Sequence, residues 1–543
     1  MDKNFIKKLE TLYKNKQFNN IKFEISALKN KEKENPFILN LLGIIETSEK
    51  KIDKARNYFE LALKKDPEYL HSLLNLSRIS LIDNNYQNTI LLLKKYDEKH
   101  PGNISIILNL SNLTFGAGFV EDAIYYHEKL IESGNFNLKD LTALIFLQNY
   151  SSKYSNEKYK KYCDLYNKII SKGLSSIKIN INERDQKKIG FLSNDLRDHP
   201  VGYFIIDFIN ELKNRNFIPV AFNLFPDEIN QSNFTKDLKK SFSEWNNVKN
   251  LSNFELCKMI NEKKIYYLFD LGGYNAGNRL EIFKNKPAPV QISWLGYCNS
   301  TQMEEIDYII SDPYTTTIKE ENFYKEKILK MPHIWNTHSK LSEEKINQLP
   351  AVSNEFFTFG SFNNYLKISD EVIETWNKIL VNIHNSKLVL KSRHSVDKNF
   401  KSYIIKKFDN SINSERLIFL NTVKDKKKHL NDYNKIDISL DTFPYNGVTT
   451  SFESIWMGVP VIVLKGNRFV SRCGYSINKN LGLEDFIAEN KEDYISKACK
   501  LASKDNIDKL KKLRQSLRKN SLSSPLFNIK LFTDSFIKLL NEV

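Results

Sequence analysis

The chain contains few cysteines and lacks long apolar runs. Five cysteines occur among 543 residues and none forms a CxxC pair, which argues against a disulfide-rich secreted scaffold and against a cysteine zinc site. The most apolar stretches, such as VPVIVL at 459–464, are too short to cross a bilayer. The opening residues MDKNFIKKLETL lack the apolar core of a signal peptide. We therefore expect a cytoplasmic protein with no membrane span.

Several common catalytic motifs are also missing from the sequence. Neither GxxxxGK[ST] nor GxGxxG after a strand is present, which argues against P-loop nucleotidases and dinucleotide-binding dehydrogenases. HExxH and GxSxG are absent as well, and with them the metalloprotease and α/β-hydrolase signatures.

Positive charge is in excess. The sequence holds 81 Lys and Arg against 65 Asp and Glu, a formal net charge of +16. Such an excess can attract nucleic acid, a membrane surface or a phosphorylated substrate. However, the lysines are spread along the chain beside acidic residues, and no long basic block is interleaved with aromatic residues. We interpret most of them as solvated helix faces and expect no nucleic-acid partner.

The first 150 residues contain helical patterns with a period of 34 residues. Residues of similar character recur at this spacing, namely Leu42, Leu76 and Leu110, then Ala55, Thr89 and Ala123, then Pro67 and Pro101. A two-helix unit of this length, with a small residue where the helices cross, is typical of the tetratricopeptide repeat. About three units are predicted to stack into a superhelix whose concave surface binds protein or peptide. A generic helical bundle is the alternative.

Two α/β lobes are predicted after the repeats. Residues 151–186 are interpreted as a helical connector. Short apolar runs then alternate with amphipathic helical stretches over 187–350 and again over 351–543, a pattern that favours βαβ units and parallel sheets. Each lobe is expected to be doubly wound and Rossmann-like, with ligands at the carboxyl ends of its strands.

The segment DTFPYNGVTTSFESIWMGVP at 441–460 is predicted to run from a strand end through a turn into a helix. Thr449 and Thr450 open that helix, where hydroxyls and backbone N–H groups can hold an anion with the help of the helix dipole. Glu453, one turn further, can accept hydrogen bonds from a ribose diol. A helix with ordinary N-caps is the alternative.

Two other polar residues follow predicted strands. Lys367 stands between the run FFTFGSF and a helix that starts near Ser369, where its ammonium can reach an anion between the lobes. His199 lies in the loop after the first strand, a suitable place for acid–base chemistry or for contact with a sugar hydroxyl. For each residue alone, a solvated lysine or a structural histidine is the alternative.

Taken together, these segments resemble the O-linked N-acetylglucosamine transferase and SPINDLY family, in which tetratricopeptide repeats precede a two-lobed GT-B glycosyltransferase. The motifs that carry the resemblance are IGFLSNDLRDHPVGYF, NKPAPVQISWLGY, IDYIISD, FGSFNNYLKIS, KKHLNDYNKIDISLDTFPYNGVTTSFESIWMGVPVIVL and GNRFVSRCGYS. The resemblance implies inverting transfer of a sugar, N-acetylglucosamine from UDP-GlcNAc, to Ser or Thr hydroxyls of a protein acceptor bound by the repeats. It implies no cofactor or metal, a first lobe on the acceptor side and a second lobe that binds the donor, and it leaves a homodimer open.

The resemblance also implies roles for individual residues. His199 and Lys367 are the predicted catalytic residues, with His199 as candidate base and the donor phosphate as its rival. The predicted nucleotide-sugar ligands fall into contacts to the diphosphate, the nucleobase and the ribose: Asn364, Lys367, Gly447, Thr449 and Thr450, then Lys426 and His429, then Glu453.

Two departures from the family pattern leave the donor open. Val448 stands where the animal enzymes carry a histidine, and the residues after WLGY read CNST instead of the commoner PGT. GDP-fucose or UDP-glucose as donor, and an Asn nitrogen as acceptor, therefore stay as alternatives within the same enzyme class. A repeat scaffold with a degenerate, non-catalytic sugar-nucleotide site is the alternative from a different class.

Overall fold

The computed structural model describes residues 2–173, 186–229, 232–396, 398–409 and 412–543. The chain forms two compact units, Met1–Phe136 and Asn137–Val543. Among the helices in the described ranges, none combines the length and apolar character needed to traverse a bilayer. Part of the predicted connector at 151–186 lies outside the described residues.

The first unit is built from helices. They are Lys3–Lys14, Phe18–Ser26, Asn30–Lys33, Pro36–Ser48, Ile52–Lys65, Leu70–Asp83, Gln87–Lys99, Ile104–Ala117 and Val120–Glu132, numbered α1–α9. Helices α4, α6 and α8 begin at intervals of 34 residues. The small residues Ala55, Thr89 and Ala123 are completely buried on α5, α7 and α9. The helical repeat predicted from the spacing is confirmed.

Close packing between the two helices of a pair depends on small residues. In α4, a Cβ built on Gly43 would lie 2.4 Å from the ring of Phe59 on α5, so any other residue at this position would force the Phe59 ring to shift. Phe59 belongs to one continuous core that also contains Leu76, Leu110 and Leu130. Each pair therefore shares its apolar interior with the next pair, as expected of stacked repeats.

The second unit begins with two helices and a seven-stranded parallel sheet. The helices are α10, Leu138–Gln148, and α11, Asn156–Ile170. The strands β1–β7 are Lys188–Ser193, Ile218–Asn223, Glu244–Asn247, Tyr267–Asp270, Val290–Ser293, Tyr308–Ser311 and Lys327–Lys330, with α12–α14 at Pro200–Asn214, Asn233–Ser241 and Asn253–Glu262. The strand order is β3-β2-β1-β4-β5-β6-β7, the doubly wound order in which the chain direction reverses beside β1.

A second parallel sheet forms the other lobe. Its strands β8–β13 are Phe357–Ser361, Ser386–Lys391, Leu417–Leu420, Ile438–Leu440, Val461–Leu464 and Ile487–Ala488, in the order β10-β9-β8-β11-β12-β13. The helices α15–α23 are Pro350–Ser353, Asp370–Asn382, Lys398–Ile405, Lys426–Asn431, Thr449–Trp456, Cys473–Lys479, Lys491–Leu501, Ile507–Ser523 and Ile529–Leu540. Residues of β8 and β11 are buried along their length, as expected of central strands in a parallel sheet that is covered on both faces. The two Rossmann-like lobes predicted from the sequence are confirmed.

The segment formed by α10, α11 and their connection contacts both lobes. Asn149 donates from Nδ2 to the Tyr297 hydroxyl of the first lobe at 2.9 Å, and Arg468 of the second lobe donates to the carbonyl of Ser151 at 3.0 Å. From the sequence, the repeat domain was predicted to end at residue 150 and to be followed by a connector. In the structure the compact unit with both lobes starts at Asn137, because this helical pair buries its faces there.

The last helix crosses from the second lobe to the first. On α23, Phe536 packs edge-on against Phe208 of α12, with ring centroids 4.7 Å apart. The Tyr267 hydroxyl on β4 donates to the carbonyl of Leu540 at 3.0 Å. The predicted lobe boundaries assigned 351–543 to the second lobe, but this helix completes the core of the first. One apolar core therefore runs through both lobes.

Replacing Gly43 by alanine is expected to destabilise the repeat unit by about 1–3 kcal/mol, because overpacking outweighs the better helix propensity of alanine. Ser48→Ala, at an exposed position of the same helix, is the control and should change stability by less than about 0.5 kcal/mol. Urea unfolding of the full chain, followed by circular dichroism, measures both variants. Wild-type stability of the Gly43→Ala variant would contradict the close contact with Phe59.

Candidate active site

The polar residues selected from the sequence cluster at one edge of the second sheet. Strands β8 and β11 are parallel neighbours, so their carboxyl ends meet at the same edge, where ligands bind in such folds. The loop after β8 carries Lys367, and the loop after β11 leads into α19.

The N-terminus of α19 is open to an anion. Thr449 is its first residue, and Val448 at the N-cap position has an apolar side chain. In the part of the chain that the structure describes, no side chain caps this helix. The first N–H groups of a helix need partners from outside the helix, and phosphate oxygens can supply them.

A buried carboxylate holds the turn before α19 in place. Asp441 accepts hydrogen bonds at Oδ1 from the backbone N–H of Gly447 at 2.7 Å and of Thr442 at 2.8 Å. Asn363 donates to the same oxygen at 3.3 Å and accepts from the Thr450 hydroxyl at 3.0 Å. Burial raises the pKa of Asp441 to about 7. A Cβ on Gly447 would lie 2.6 Å from Thr450 Oγ1, so the turn can close this tightly only with glycine.

Lys367 lies on a short 3-10 turn, Tyr365–Lys367, directly beside that loop. Its Nζ donates to the carbonyl of Asn446 at 2.7 Å and lies 4.2 Å from the ring centroid of Tyr445. Burial lowers the pKa of Lys367. The neighbouring Asn364 caps the turn, accepting from Leu366 N at 3.2 Å. The ammonium therefore sits at the turn that precedes the α19 N-terminus.

Glu453 of α19 makes hydrogen bonds with two aromatic side chains. Its Oε2 accepts from the Tyr433 hydroxyl at 3.0 Å and contacts His429 Nε2 at 3.0 Å. The single hydroxyl proton of Tyr433 is shared with the carbonyl oxygen of Thr450, which lies 3.2 Å from the hydroxyl oxygen. Because one carboxylate oxygen takes both contacts, Oε1 is the oxygen that can face a ribose diol.

A lysine that the sequence analysis did not select orients His429. Lys391, buried at the end of β9, contacts His429 Nδ1 at 2.9 Å and Asp432 Oδ2 at 2.8 Å. An ammonium can only donate, so Nδ1 accepts and Nε2 carries the proton toward Glu453. Lys391 could have been found in the sequence because it directly follows the apolar residues of KLVLKS, at the carboxyl end of a strand.

His199 caps helix α12 of the first lobe. Its Nδ1 accepts from the backbone N–H of Val201 at 3.4 Å and lies 3.7 Å from Asp195 Oδ1. Burial lowers the pKa of His199, which favours the neutral imidazole at pH 7. With Nδ1 accepting, the neutral tautomer carries its proton on Nε2.

Lys426 bridges the two lobes. Its Nζ pairs with Asp198 of the first lobe at 2.9 Å and lies 3.9 Å from the ring centroid of Tyr203. The Tyr203 hydroxyl also donates a hydrogen bond to Asp198. The family resemblance implied that Lys426 lies beside a nucleobase, whereas its partners in the structure are side chains across the interlobe cleft.

One connected network joins most of the predicted donor ligands. Its members, linked through hydrogen bonds, are Lys367, Gly447, Thr450, Glu453 and His429, with Thr449 at the helix start that they surround. Asn364 and His199 make their contacts within their own turns. Lys426 makes its contact across the cleft. Five further residues at this site were not predicted from the sequence, namely Asp441, Asn363, Tyr433, Tyr445 and Lys391, although all except Lys391 lie within the quoted motifs.

No metal site accompanies this network in the described ranges. There, no group of three or more His, Cys, Asp or Glu side chains is arranged to hold a metal ion. The arrangement suits an anion beside Lys367 and the tip of α19, and a diol beside Glu453.

Comparison with known proteins gives several curated relatives. A tomato protein described as a probable UDP-N-acetylglucosamine–peptide N-acetylglucosaminyltransferase SPINDLY is 32% identical over 351 residues, 64% of this chain and 37% of the relative. The Arabidopsis thaliana protein SEC, with the same description, is 29% identical over 369 residues, 65% of this chain and 37% of the relative. The chain thus spans well under half the length of these curated relatives.

The solved structures and a family model agree with this similarity. A mutant of the Thermobaculum terrenum O-GlcNAc transferase superposes with a TM-score of 0.76 at 25% identity, over 95% of this chain and 99% of that chain. The model of glycosyl transferase family 41 matches residues 146–344 and 337–536, which together contain both lobes and the active-site network. The chain belongs to glycosyl transferase family 41.

Proposed function

We propose that the protein is an inverting glycosyltransferase that moves N-acetylglucosamine from UDP-GlcNAc to Ser or Thr hydroxyls of a protein acceptor. The relatives described as UDP-N-acetylglucosamine–peptide N-acetylglucosaminyltransferases support this donor and acceptor. The observation that carries the proposal is the meeting of Lys367, the open N-terminus of α19 and Glu453 within one network.

The proposed role of this network is to stabilise the leaving group. As the glycosidic bond breaks, the diphosphate gains negative charge and the sugar becomes oxocarbenium-like. A preorganised ammonium and a helix N-terminus stabilise that charge electrostatically. Lys367 and the first turn of α19, with Thr449 and Thr450, supply both, and in this proposal no divalent metal is required.

The nucleoside part of the donor has its own proposed contacts. The free oxygen of Glu453 accepts from the ribose hydroxyls. His429, held by Lys391, and Lys426 lie beside the nucleobase, and Lys426 exchanges its contact with Asp198 for the ligand when the donor binds. Asn364 and Gly447 contact the diphosphate.

The acceptor hydroxyl must lose a proton during transfer. His199 was the candidate base from the sequence. Its Nδ1 accepts the helix-capping bond from Val201, so its other nitrogen is protonated in the neutral tautomer and acts as a donor. We therefore propose that His199 holds a sugar or acceptor hydroxyl by donating from Nε2, and that an oxygen of the donor phosphate takes the proton.

The repeat unit is proposed to bind the acceptor protein. Stacked helical repeats present a concave surface suited to an extended peptide, and they contribute no chemistry of their own. The cytoplasmic location and the oligomeric state stay predictions from the sequence.

Lys367→Met is expected to lower kcat by about 10²–10³-fold, the cost of removing one preorganised donor from a developing negative charge. Radiolabelled or mass-spectrometric assay of sugar transfer measures the rate. Lys512→Met, at an exposed position of α22, is the matched control and should keep the wild-type rate. A wild-type rate for Lys367→Met would refute the proposed role of this lysine.

Thermal unfolding with sugar nucleotides tests the donor. A ligand that binds only the native state adds about 2.7 kcal/mol of stability at 100 times its Kd, so UDP-GlcNAc should raise Tm clearly and ATP should not. GDP-fucose is the rival donor, because Val448 replaces a histidine at the helix tip. A larger shift with GDP-fucose would overturn the choice of UDP-GlcNAc, and a shift without any transfer to protein would favour the scaffold alternative.

His199→Gln and His199→Ala separate a hydrogen-bond donor from a base. Glutamine keeps an N–H donor but cannot take a proton, so we expect His199→Gln to retain at least about tenfold more activity than His199→Ala. Because burial lowers the pKa of His199, wild-type activity should persist below pH 6.5 before imidazole protonation affects it. Equal, near-complete loss in both variants would restore His199 as the base.

A further inference from the structure

The Lys367 ammonium contacts an aromatic ring that is itself held by a second ring. Nζ lies 4.2 Å from the centroid of Tyr445. The Tyr445 ring stacks on Tyr150, with centroids 4.4 Å apart and an angle of 29° between the planes. Tyr150 follows α10 and belongs to neither sheet.

Tyr150 lies in a corner that is fixed from several sides. Arg468 donates to the carbonyls of Gln148 at 3.3 Å and Ser151 at 3.0 Å. Asn149 donates to Tyr297 at 2.9 Å and accepts from Asn299 at 2.8 Å. Both lobes therefore form hydrogen bonds with the residues flanking Tyr150, and these bonds restrict the movement of its ring.

The environment of Lys367 makes the ring contact important. Burial lowers the pKa of this lysine, so its charged form needs favourable contacts. The charged or titratable groups around it are the Asp441 carboxyl, the thiols of Cys298 and Cys473, and the phenols of Tyr445 and Tyr150.

Most of these groups carry no negative charge at neutral pH. Burial raises the pKa of the Cys473 thiol and of both phenols. It also raises the pKa of Asp441 to about 7, so this carboxyl is only partly ionised near pH 7. The π face of Tyr445 attracts the ammonium at every pH in this range, since the ring quadrupole does not titrate.

We propose that Tyr150 is a positioning residue of the active site: its ring fixes the ring of Tyr445, and that ring keeps the Lys367 ammonium charged and in place for the donor diphosphate. The inference rests on the function proposed above for Lys367. It makes the corner after α10 a part of the active site, although it lies outside both lobes.

The test compares Tyr150→Leu with Tyr150→Phe in the full chain. UDP binding is measured by calorimetry from pH 7 to pH 10, and kcat is measured over the same range. Tyr150→Leu should weaken UDP binding and lower kcat by about fivefold or more, and should move the alkaline limb of both profiles about half to one pH unit lower. Tyr150→Phe keeps the stacked ring and should stay within about threefold of the wild type.

Two comparisons separate this role from general destabilisation. Tyr166→Leu removes a ring from α11 that packs on Tyr274, and it should leave the alkaline limb in place. In a double-mutant cycle, adding Tyr150→Leu to Lys367→Met should not weaken UDP binding further, because the effect passes through the lysine. Additive losses, or an alkaline limb unmoved in a folded Tyr150→Leu variant, would overturn the proposal.

If the Tyr150→Leu protein does not fold, a second pair of variants, at Tyr445, tests the same proposal. Tyr445 is only half-buried, and Tyr445→Leu should reproduce the shift of the alkaline limb while Tyr445→Phe should not. An unshifted limb in Tyr445→Leu would also overturn the proposal. If Lys367→Met itself leaves UDP binding and turnover unchanged, the proposed function of Lys367 fails. If Lys367→Met loses activity but the tyrosine variants keep the binding, kcat and alkaline limb of the wild type, only the positioning role fails.

Discussion

In the proposed function, Lys367 and the start of α19 meet the negative charge that accumulates on a leaving diphosphate, and the second lobe positions both groups. Lys367 is half-buried and loses hydration, and burial lowers its pKa. The turn at Asp441 and Gly447 holds the start of α19 close to the lysine. The parallel order of β8 and β11 brings the two loops to one edge. A charge-stabilising site of this kind works because its dipoles are already oriented before reaction.

The two lobes depend on elements that lie outside their own sheets. Helix α23 follows the second sheet in the chain but buries Phe536 against Phe208 of the first lobe. The corner after α10 reaches Tyr297 on one lobe and Arg468 on the other. Both elements restrict the relative position of the lobes, which in the proposed function keeps donor and acceptor in line.

Local patterns made the backbone architecture largely predictable. The 34-residue spacing of Ala55, Thr89 and Ala123 predicted the helical repeats, and apolar runs predicted the long central strands. The strand Glu244–Asn247 is polar, so no apolar run marks it in the sequence. In the active site, Thr449, Thr450 and Glu453 were accessible because one contiguous motif contains them. Asp441 lies in the same motif, but its contact with Asn363 depends on β8 and β11 being neighbours. Lys391 lies outside the quoted motifs, and its contact with His429 is decided by the fold.

The sequence by itself determined the elements and the chemistry of single segments: repeats, two α/β lobes, a helix tip with threonines, and a lysine after a strand. Periodicity and local motifs report on contacts between near neighbours in the chain. Only the tertiary structure decided that Tyr150 stacks on Tyr445 beside Lys367, that Lys391 orients His429, and that α10 and α23 join the lobes. These contacts connect residues that are distant along the chain, and packing of the whole core, which no local pattern encodes, brings them together.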